Sequence, residues 1–252
     1  MINEISHIIA QMQPVSLAEM DSVKLLNRTD TKFVFEISKL PKILADVKDA
    51  YRVLHVAQTP FQEYFTVYYD TADKKMYQIH QTGRINRYKV RHRTYGSSGI
   101  AFLEVKFKNN KKITFKNRIK YDIAQGLENA QEFLQKYSPF SWDELEATSK
   151  VTYTRITLVN LMHGERITID VDLQASNVKT GKTVDFSHIC IVELKREKTK
   201  SNTEMAEALK KHRIFQKSMS KYAVGTAASN SEVRLNRFKR KLRYIDKLKT
   251  KI

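Results

Sequence analysis

A single cysteine, Cys190, among 252 residues excludes a disulfide framework and any multi-cysteine zinc site. No apolar run approaches the ~20 residues that a membrane-spanning helix needs, and the longest are stretches such as Ile189-Cys190-Ile191-Val192. The first residues lack a basic start and carry Glu4 and His7 among their apolar positions, so they do not read as a secretory signal. Repeats, low-complexity linkers and composition shifts are missing too, and nothing divides the chain by composition. Acid is scarce: 27 Asp plus Glu face 45 Lys plus Arg, a formal net charge of +18. What is present, 41% hydrophobic and 10% aromatic residues, suffices for a real core in one large domain or two small ones. The expectation is a soluble cytoplasmic protein. Its excess charge calls for a polyanionic partner: nucleic acid, an anionic membrane or a phosphate-rich small molecule.

Much of that charge lies inside strand-like segments, where alternate side chains share a face. Lys89, Arg91 and Arg93 occupy every second position of Tyr88–Arg93. Glu104, Lys106 and Lys108 stand opposite Leu103, Val105 and Phe107, and Thr114, Lys116 and Arg118 repeat the habit. Tyr153 and Arg155 share a face, as do Arg166, Thr168, Asp170 and Asp172, then Glu193 and Lys195. Arg28, Asp30 and Lys32 do the same near the start. One such strand reads as an ordinary half-exposed antiparallel strand. Seven together point elsewhere, because a flat sheet of like charges repels itself, whereas a barrel gathers them around an anion-holding lumen. The acids Asp30, Glu104, Asp170, Asp172 and Glu193 then serve as counter-ions or as oxygen ligands for Mg²⁺ or Mn²⁺. His92 falls between Arg91 and Arg93 and so faces outward, and Cys190 reads as core.

Helical signals supply the cover that such a barrel needs. They span residues 2–26 with a break at Pro14 and a cap at Ser16, then Ser38 to about Ala50, Ala72 to Gln81 ending at Gly83, and Gly126 to Tyr137. Asp143–Lys150 reads as a further turn or helix, and Thr203–His212 and Lys217–Ala228 as two more. From Ser231 onward nine basic residues, Lys251 among them, accompany Glu232 and Asp246, with Leu235, Phe238, Leu242, Ile245 and Leu248 at helical spacing. This basic amphipathic helix reads as docked on its own domain, on an anionic membrane surface or on a membrane-protein partner. The expected organisation is an N-terminal helical segment (1–21), a main domain (22–228) and the basic C-terminal helix (229–252).

With Arg28, Asp30 and Lys32, Lys89-x-Arg91-x-Arg93, Glu104-x-Lys106, Tyr153-x-Arg155, Arg166-x-Thr168-x-Asp170, Glu193-x-Lys195 and Ser220-Lys221-Tyr222, the chain resembles the catalytic domain of the vacuolar transporter chaperone (VTC) family. That family is the polyphosphate polymerase branch of the CYTH-like triphosphate tunnel metalloenzymes. The resemblance runs from about residue 22 to about 228 and implies an α+β fold: a closed antiparallel eight-stranded barrel with surrounding helices. It implies transfer of the γ-phosphoryl group of ATP onto inorganic polyphosphate with a divalent metal, Mn²⁺ or Mg²⁺. It assigns phosphate handling to Arg91, Arg93, Lys106, Arg155, Arg166 and Lys221, with Lys32, Lys89, Lys116, Tyr153, Lys195 and Ser220 beside them. It places the metal on Glu193 and adds Lys217 as a further correspondence. The chain shows neither the regulatory helical domain nor the membrane domain of larger members, so it reads as a stand-alone member.

Two other functions stay open at this stage. A metal-dependent triphosphatase would carry more paired acids, often Glu-x-Glu on the first strand, where this chain has Arg28-x-Asp30. A non-catalytic polyanion-binding module would bind without turnover. Nucleic acid is not expected as a partner, because Tyr and Phe mostly fall opposite the cations.

Overall fold

The computed structural model describes residues 2–22, 28–111, 113–197 and 202–249. The Arg28 side chain, residues 23–26 of the expected first helical region and Lys251 lie outside the described residues. Chain order runs α1 (Ile2–Ile9), β1 (Pro14–Val15), α2 (Leu17–Ser22), β2 (Arg28–Glu36), α3 (Leu40–Val47), β3 (Arg52–Leu54), β4 (Gln62–Asp70) and α4 (Lys75–Thr82). It continues with β5 (Arg87–Tyr95), β6 (Ala101–Lys108), β7 (Thr114–Lys120), α5 (Gln131–Tyr137), β8 (Glu146–Asn160), β9 (Glu165–Asn177), β10 (Thr183–Asp185), β11 (Ile189–Glu197), α6 (Glu204–Lys211), α7 (Lys221–Ser229) and α8 (Asn236–Lys249). Of Asp143–Lys150, expected as a turn or helix, Asp143 and Glu144 form a turn and the rest from Glu146 belongs to β8.

Eight strands pair in the order β2-β11-β9-β8-β4-β5-β6-β7, every neighbour antiparallel. The short β1 and β3 pair with one another, β3 extends β8, and β10 folds back on β9. The number of strands on this path meets the expectation, but among the described residues no ladder joins β2 to β7. The sheet therefore has a seam where a closed barrel was expected. Its curvature is nonetheless strong. Lys32 on β2 lies close enough to Lys89 on β5 and Lys106 on β6 to lower both pKa values. In a flat sheet five strand steps would hold β2 and β5 about 24 Å apart, at ~4.8 Å per step. Cations stand on both lips, Lys32 on one and Lys106 and Lys116 on the other, and like charges there disfavour closing the gap.

The convex face is apolar and covered. Ile167, Ile169, Ile156, Leu158, Val192 and Leu194 pack under α1, α3 and α6, which contribute Ile5 and Ile9, then Leu40, Ile43, Leu44 and Val47, then Met205 and Leu209. Each such fully buried side chain contributes about 1.5–3 kcal/mol. Pro41 sits in the first turn of α3, where its missing N–H costs nothing. A second patch, Val90, Leu103 and Val105, is covered by Phe133 and Leu134 of α5. His92 and Cys190 lie where expected: His92 is buried on this outer side with Nε2 3.1 Å from the Tyr121 carbonyl, and Cys190 is core.

The concave face is divided along its length. One end carries the charges; the other is filled by Val34, Val151, Leu173, Ala175, Ile189 and Ile191 packed against Tyr222, Ala223, Val224 and Ala227 of α7. A β-bulge sets this division on β9. The ladder steps from Thr154↔Val171 to Thr152↔Gln174, so β9 carries one extra residue there. Asp172 takes a left-handed φ of 52° and leaves the row it was expected to share with Asp170. Beyond it the parity flips and Leu173 and Ala175 turn inward. Helix α7 can come this close because Gly225 lacks a side chain: a Cβ there would lie 2.9 Å from the Ala175 Cβ. Helix α8 joins the same core through Phe238, Ile245 and Leu248.

Candidate functional site: a cation-lined bore

Three carboxylates organise the charged end, and each holds two cations. Glu104 on β6 accepts from Arg91 of β5 at 2.5 Å and pairs with Lys116 of β7. Asp170 on β9 takes a bidentate fork from Arg155 of β8, at 2.6 and 2.9 Å, and pairs with Lys221 at the start of α7. Glu193 on β11 lies 2.8 Å from Lys32 Nζ of β2 and 3.0 Å from Lys195 Nζ. The register supplies these meetings, since Arg91 faces Glu104, Arg155 faces Asp170 and Lys32 faces Glu193. A fixed guanidinium fork and a mobile ammonium on one carboxylate leave outward-facing donors for a second anion.

Burial alone would raise all three acids, but the cations outweigh it. Arg91, Lys116 and Arg93 hold Glu104 down to about 2. Arg155 and Lys221 hold Asp170, and Lys195 and Lys32 hold Glu193, well below the usual carboxylate range. On the other side of each pair, burial brings Lys116 and Lys195 down to about 8, against the pull of Glu104 and Glu193. Lys221 is lowered by burial and by Arg155.

Three expected phosphate ligands stand apart from the carboxylates. Arg93 is buried, donates from Nε to Thr66 Oγ1 at 3.1 Å, and lies over the rings of Tyr64 and Tyr153 at 5.2 and 5.9 Å. Lys89 Nζ donates to Ser220 Oγ at 2.9 Å, and burial with Lys106, Lys32, Arg87 and Arg91 around it lowers its pKa strongly. Lys106 is solvent-exposed and has no hydrogen-bond or ion-pair partner among the described residues; desolvation by the wall, Arg91 and Lys32 lower it. Ser220 caps α7 by accepting from Ala223 N, so one hydroxyl ties the helix N-terminus to β5. Arg166, on the same row of β9, reaches toward α2, with its NH1 4.0 Å from Met20 Sδ. Lys217 lies outside this group, 3.5 Å above the Tyr244 ring.

Aromatic side chains share this face more than the sequence suggested. Tyr64 stacks on Tyr153 at 5.0 Å and 14°, and Arg155 and Lys221 lie over the Tyr153 ring at 5.4 and 4.3 Å. Tyr68 and Thr66 were also missed; Tyr68 OH lies 3.5 Å from Arg91 NH1. Burial raises the Tyr68 phenol, yet Arg91, Arg93 and Lys221 outweigh it and leave its pKa lowered. The available signal was the period-two row Gln62, Tyr64, Thr66, Tyr68, Asp70 on β4. These rings seat cations, so the aromatics do not all fall opposite them as the alternation suggested.

The wall thus sets nine cations (Lys32, Lys89, Arg91, Arg93, Lys106, Lys116, Arg155, Lys195, Lys221) against four carboxylates, Glu104, Asp170, Glu193 and Asp30, the last on β2 facing Lys195, and this excess suits a multiply charged anion. Two further cavities lie elsewhere: one of about 530 Å³ between α4 and the ends of β8 and β9, and one of about 420 Å³ beside Asp172. For a divalent metal, no three Asp, Glu, His or Cys side chains converge among the described residues. Glu193, the expected metal ligand, has one carboxylate oxygen on Lys32 and the other on Lys195.

A curled antiparallel sheet with helices outside and a cationic concave face defines the triphosphate tunnel class, whose fold implies a divalent metal and substrates that are triphosphates. The VTC domain family model matches residues 27–230, and the chain belongs to that family. Among solved structures, an adenylyl cyclase candidate from Hippeastrum, described as having a dominant triphosphatase activity, is similar with a TM-score of 0.50 and 11% identity over 81% of this chain and 97% of that one. An adenylate cyclase candidate from Bacillus halodurans gives 0.49 and 13% over 84% and 97%. At such identities the likeness is one of fold. No curated protein matches. Among the described residues no helix is long and apolar enough to cross a membrane.

Proposed function

We propose that this protein is a polyphosphate polymerase: it transfers the γ-phosphoryl group of ATP onto the end of an inorganic polyphosphate chain. The observation that carries the reading is the state of the three buried carboxylates. Each is held by two cations and kept ionised, an arrangement that suits charge neutralisation better than proton abstraction. Hydrolysis asks the site to activate a water, whereas a polyphosphate acceptor needs no such activation, because its terminal oxygen is already an anion.

Transfer forms a bond from that oxygen to the γ-phosphorus and breaks the bond to the β–γ bridging oxygen, releasing ADP. Positioning and charge neutralisation supply most of the catalysis in such reactions. Arg91, Arg155 and Arg93 present fixed forks along the wall, and Lys106 and Lys89 offer movable charges that follow the phosphates. Lys221, at the N-terminus of α7, adds charge where the helix dipole is also positive. Glu193 would be the residue to hold a divalent ion, which would supply further charge neutralisation beside the phosphates. Anion binding also offsets repulsion between Lys32 and Lys106 across the seam, which favours closure into the full barrel.

The test is incubation of the full chain with ATP and Mn²⁺ or Mg²⁺, with products resolved on a gel. A ladder of phosphate chains is expected. Free phosphate alone would replace this reading with a triphosphatase, and binding without turnover would leave a polyanion-binding module.

A further inference from the structure

The cations do not stop at the wall of the bore. Arg87 extends the Lys89, Arg91, Arg93 row of β5 by one step. Beside it gather Arg237 and Lys241, one turn apart on α8, and Lys217 on the segment leading into α7. A Cβ at Gly83 would overlap the Arg237 guanidinium, so Arg237 lies across the turn that precedes β5. Lys241 Nζ donates to Ser218 Oγ at 2.8 Å, and two residues on, Ser220 receives Lys89 Nζ from the bore. One short segment therefore meets the outer cluster at one end and the inner wall at the other. Helix α8 continues past it to β2, where Tyr244 OH donates to the Val34 carbonyl at 2.8 Å. It thus spans from the β5 side of the seam to the β2 side.

The cluster contains no counter-ion. Arg87, Lys217, Arg237 and Lys241 have no ion pair among the described residues. His80 beside them does not help: burial and the charges of Lys89, Arg87, Lys241 and Arg237 hold it neutral, down to about 2, and its buried Nδ1 lacks a hydrogen-bond partner. Burial and mutual repulsion lower both Arg87 and Lys241. Cations crowded without acids are costly in the ligand-free state, and an anion bridging them removes that cost. Continuity with Lys89 favours a chain leaving the bore over a flat lipid surface.

We infer that Arg87, Lys217, Arg237 and Lys241 form a second phosphate subsite outside the bore, which holds the stretch of a linear inorganic polyphosphate that extends beyond Lys89. The inference rests on the polymerase reading for its ligand. Its test is a binding titration of the full-length protein and the R237Q/K241Q variant with inorganic triphosphate and with long-chain polyphosphate at low ionic strength. The variant is expected to lose about fivefold to tenfold in affinity for the long chain, with a shallower salt dependence, while triphosphate affinity stays unchanged. R237K/K241R, which keeps both charges, is expected to bind the long chain as the parent does. Equal long-chain affinity in R237Q/K241Q and parent overturns the inference. Loss of triphosphate affinity in the same variant overturns it too, since the cluster would then belong to the bore. A loss seen only with phosphatidylglycerol vesicles overturns it in favour of a membrane contact. Failure of the polymerase reading shows separately, as a missing ladder in the parent's product gel.

Discussion

The two ends of the concave face are built on the same strands and differ in everything else. On β9, Asp170 grips Arg155 and Lys221, while three residues on Leu173 packs against α7. On β11, Glu193 lies between two lysines and Ile191 is core. Both ends are buried, yet one is held by charge pairs that spend the desolvation of their ions and the other by dispersion and water exclusion. Buried ion pairs are poor sources of net stability. The apolar end with its helix carries the fold, and so frees the charged end to be organised for a ligand.

Substitutions can separate these contributions. Asp170→Ala leaves Arg155 and Lys221 facing each other without an anion, so a loss of about 3–5 kcal/mol in urea unfolding is expected together with loss of synthesis. Arg93→Ala removes a cation whose one hydrogen-bond partner among the described residues is a hydroxyl, that of Thr66. Synthesis should fall about 10²–10³-fold, with little change in the unfolding midpoint. Leu173→Ala gives the opposite pattern: about 2–4 kcal/mol of stability lost, and unchanged turnover per folded molecule. Gly225→Ala forces α7 away from Ala175 and should cost about 1–3 kcal/mol by calorimetry. If it lowers synthesis as strongly as Arg93→Ala, the two ends are not separable.

The smallest effect is one of pH. Lys116 and Lys195 have folded values near 8 against 10.5 in the unfolded chain. Above about 8 the folded protein has released protons that the unfolded chain still binds, so these two groups make ligand-free stability rise with pH until tyrosines ionise near about 10. Triphosphate affinity should fall across the same window, since the lost charges face the anion. Parallel melting and binding curves from pH 7 to about 9.5 check the opposed slopes.

The strands and their charged faces were legible because a period of two survives any register. Helices α3, α6 and α7 were legible within a few residues from caps and apolar spacing. The pairing of each carboxylate with two cations was not, because register and order in the sheet arise from long-range contacts. The inward turn of Leu173 depended on one extra residue at Asp172, and nothing in the alternation of Arg166 to Asp172 announces a bulge. The filling of one end could have been suspected from Tyr222-Ala223-Val224-Gly225, a run of mostly small side chains fit for close packing on a sheet. The short β1, β3 and β10 lack enough residues to show any period.

The seam between β2 and β7 has a topological consequence. A ring must be threaded from a free terminus, one monomer after another, and can release its cargo only by the reverse route. While the seam is open, a polymer can enter broadside at any point along the groove, and closure on the bound anion would then hold it as a ring does. On the polymerase reading, chain ends and chain middles then compete for the same groove, and the length at which elongation stalls would follow from how often a long strand is held by its middle.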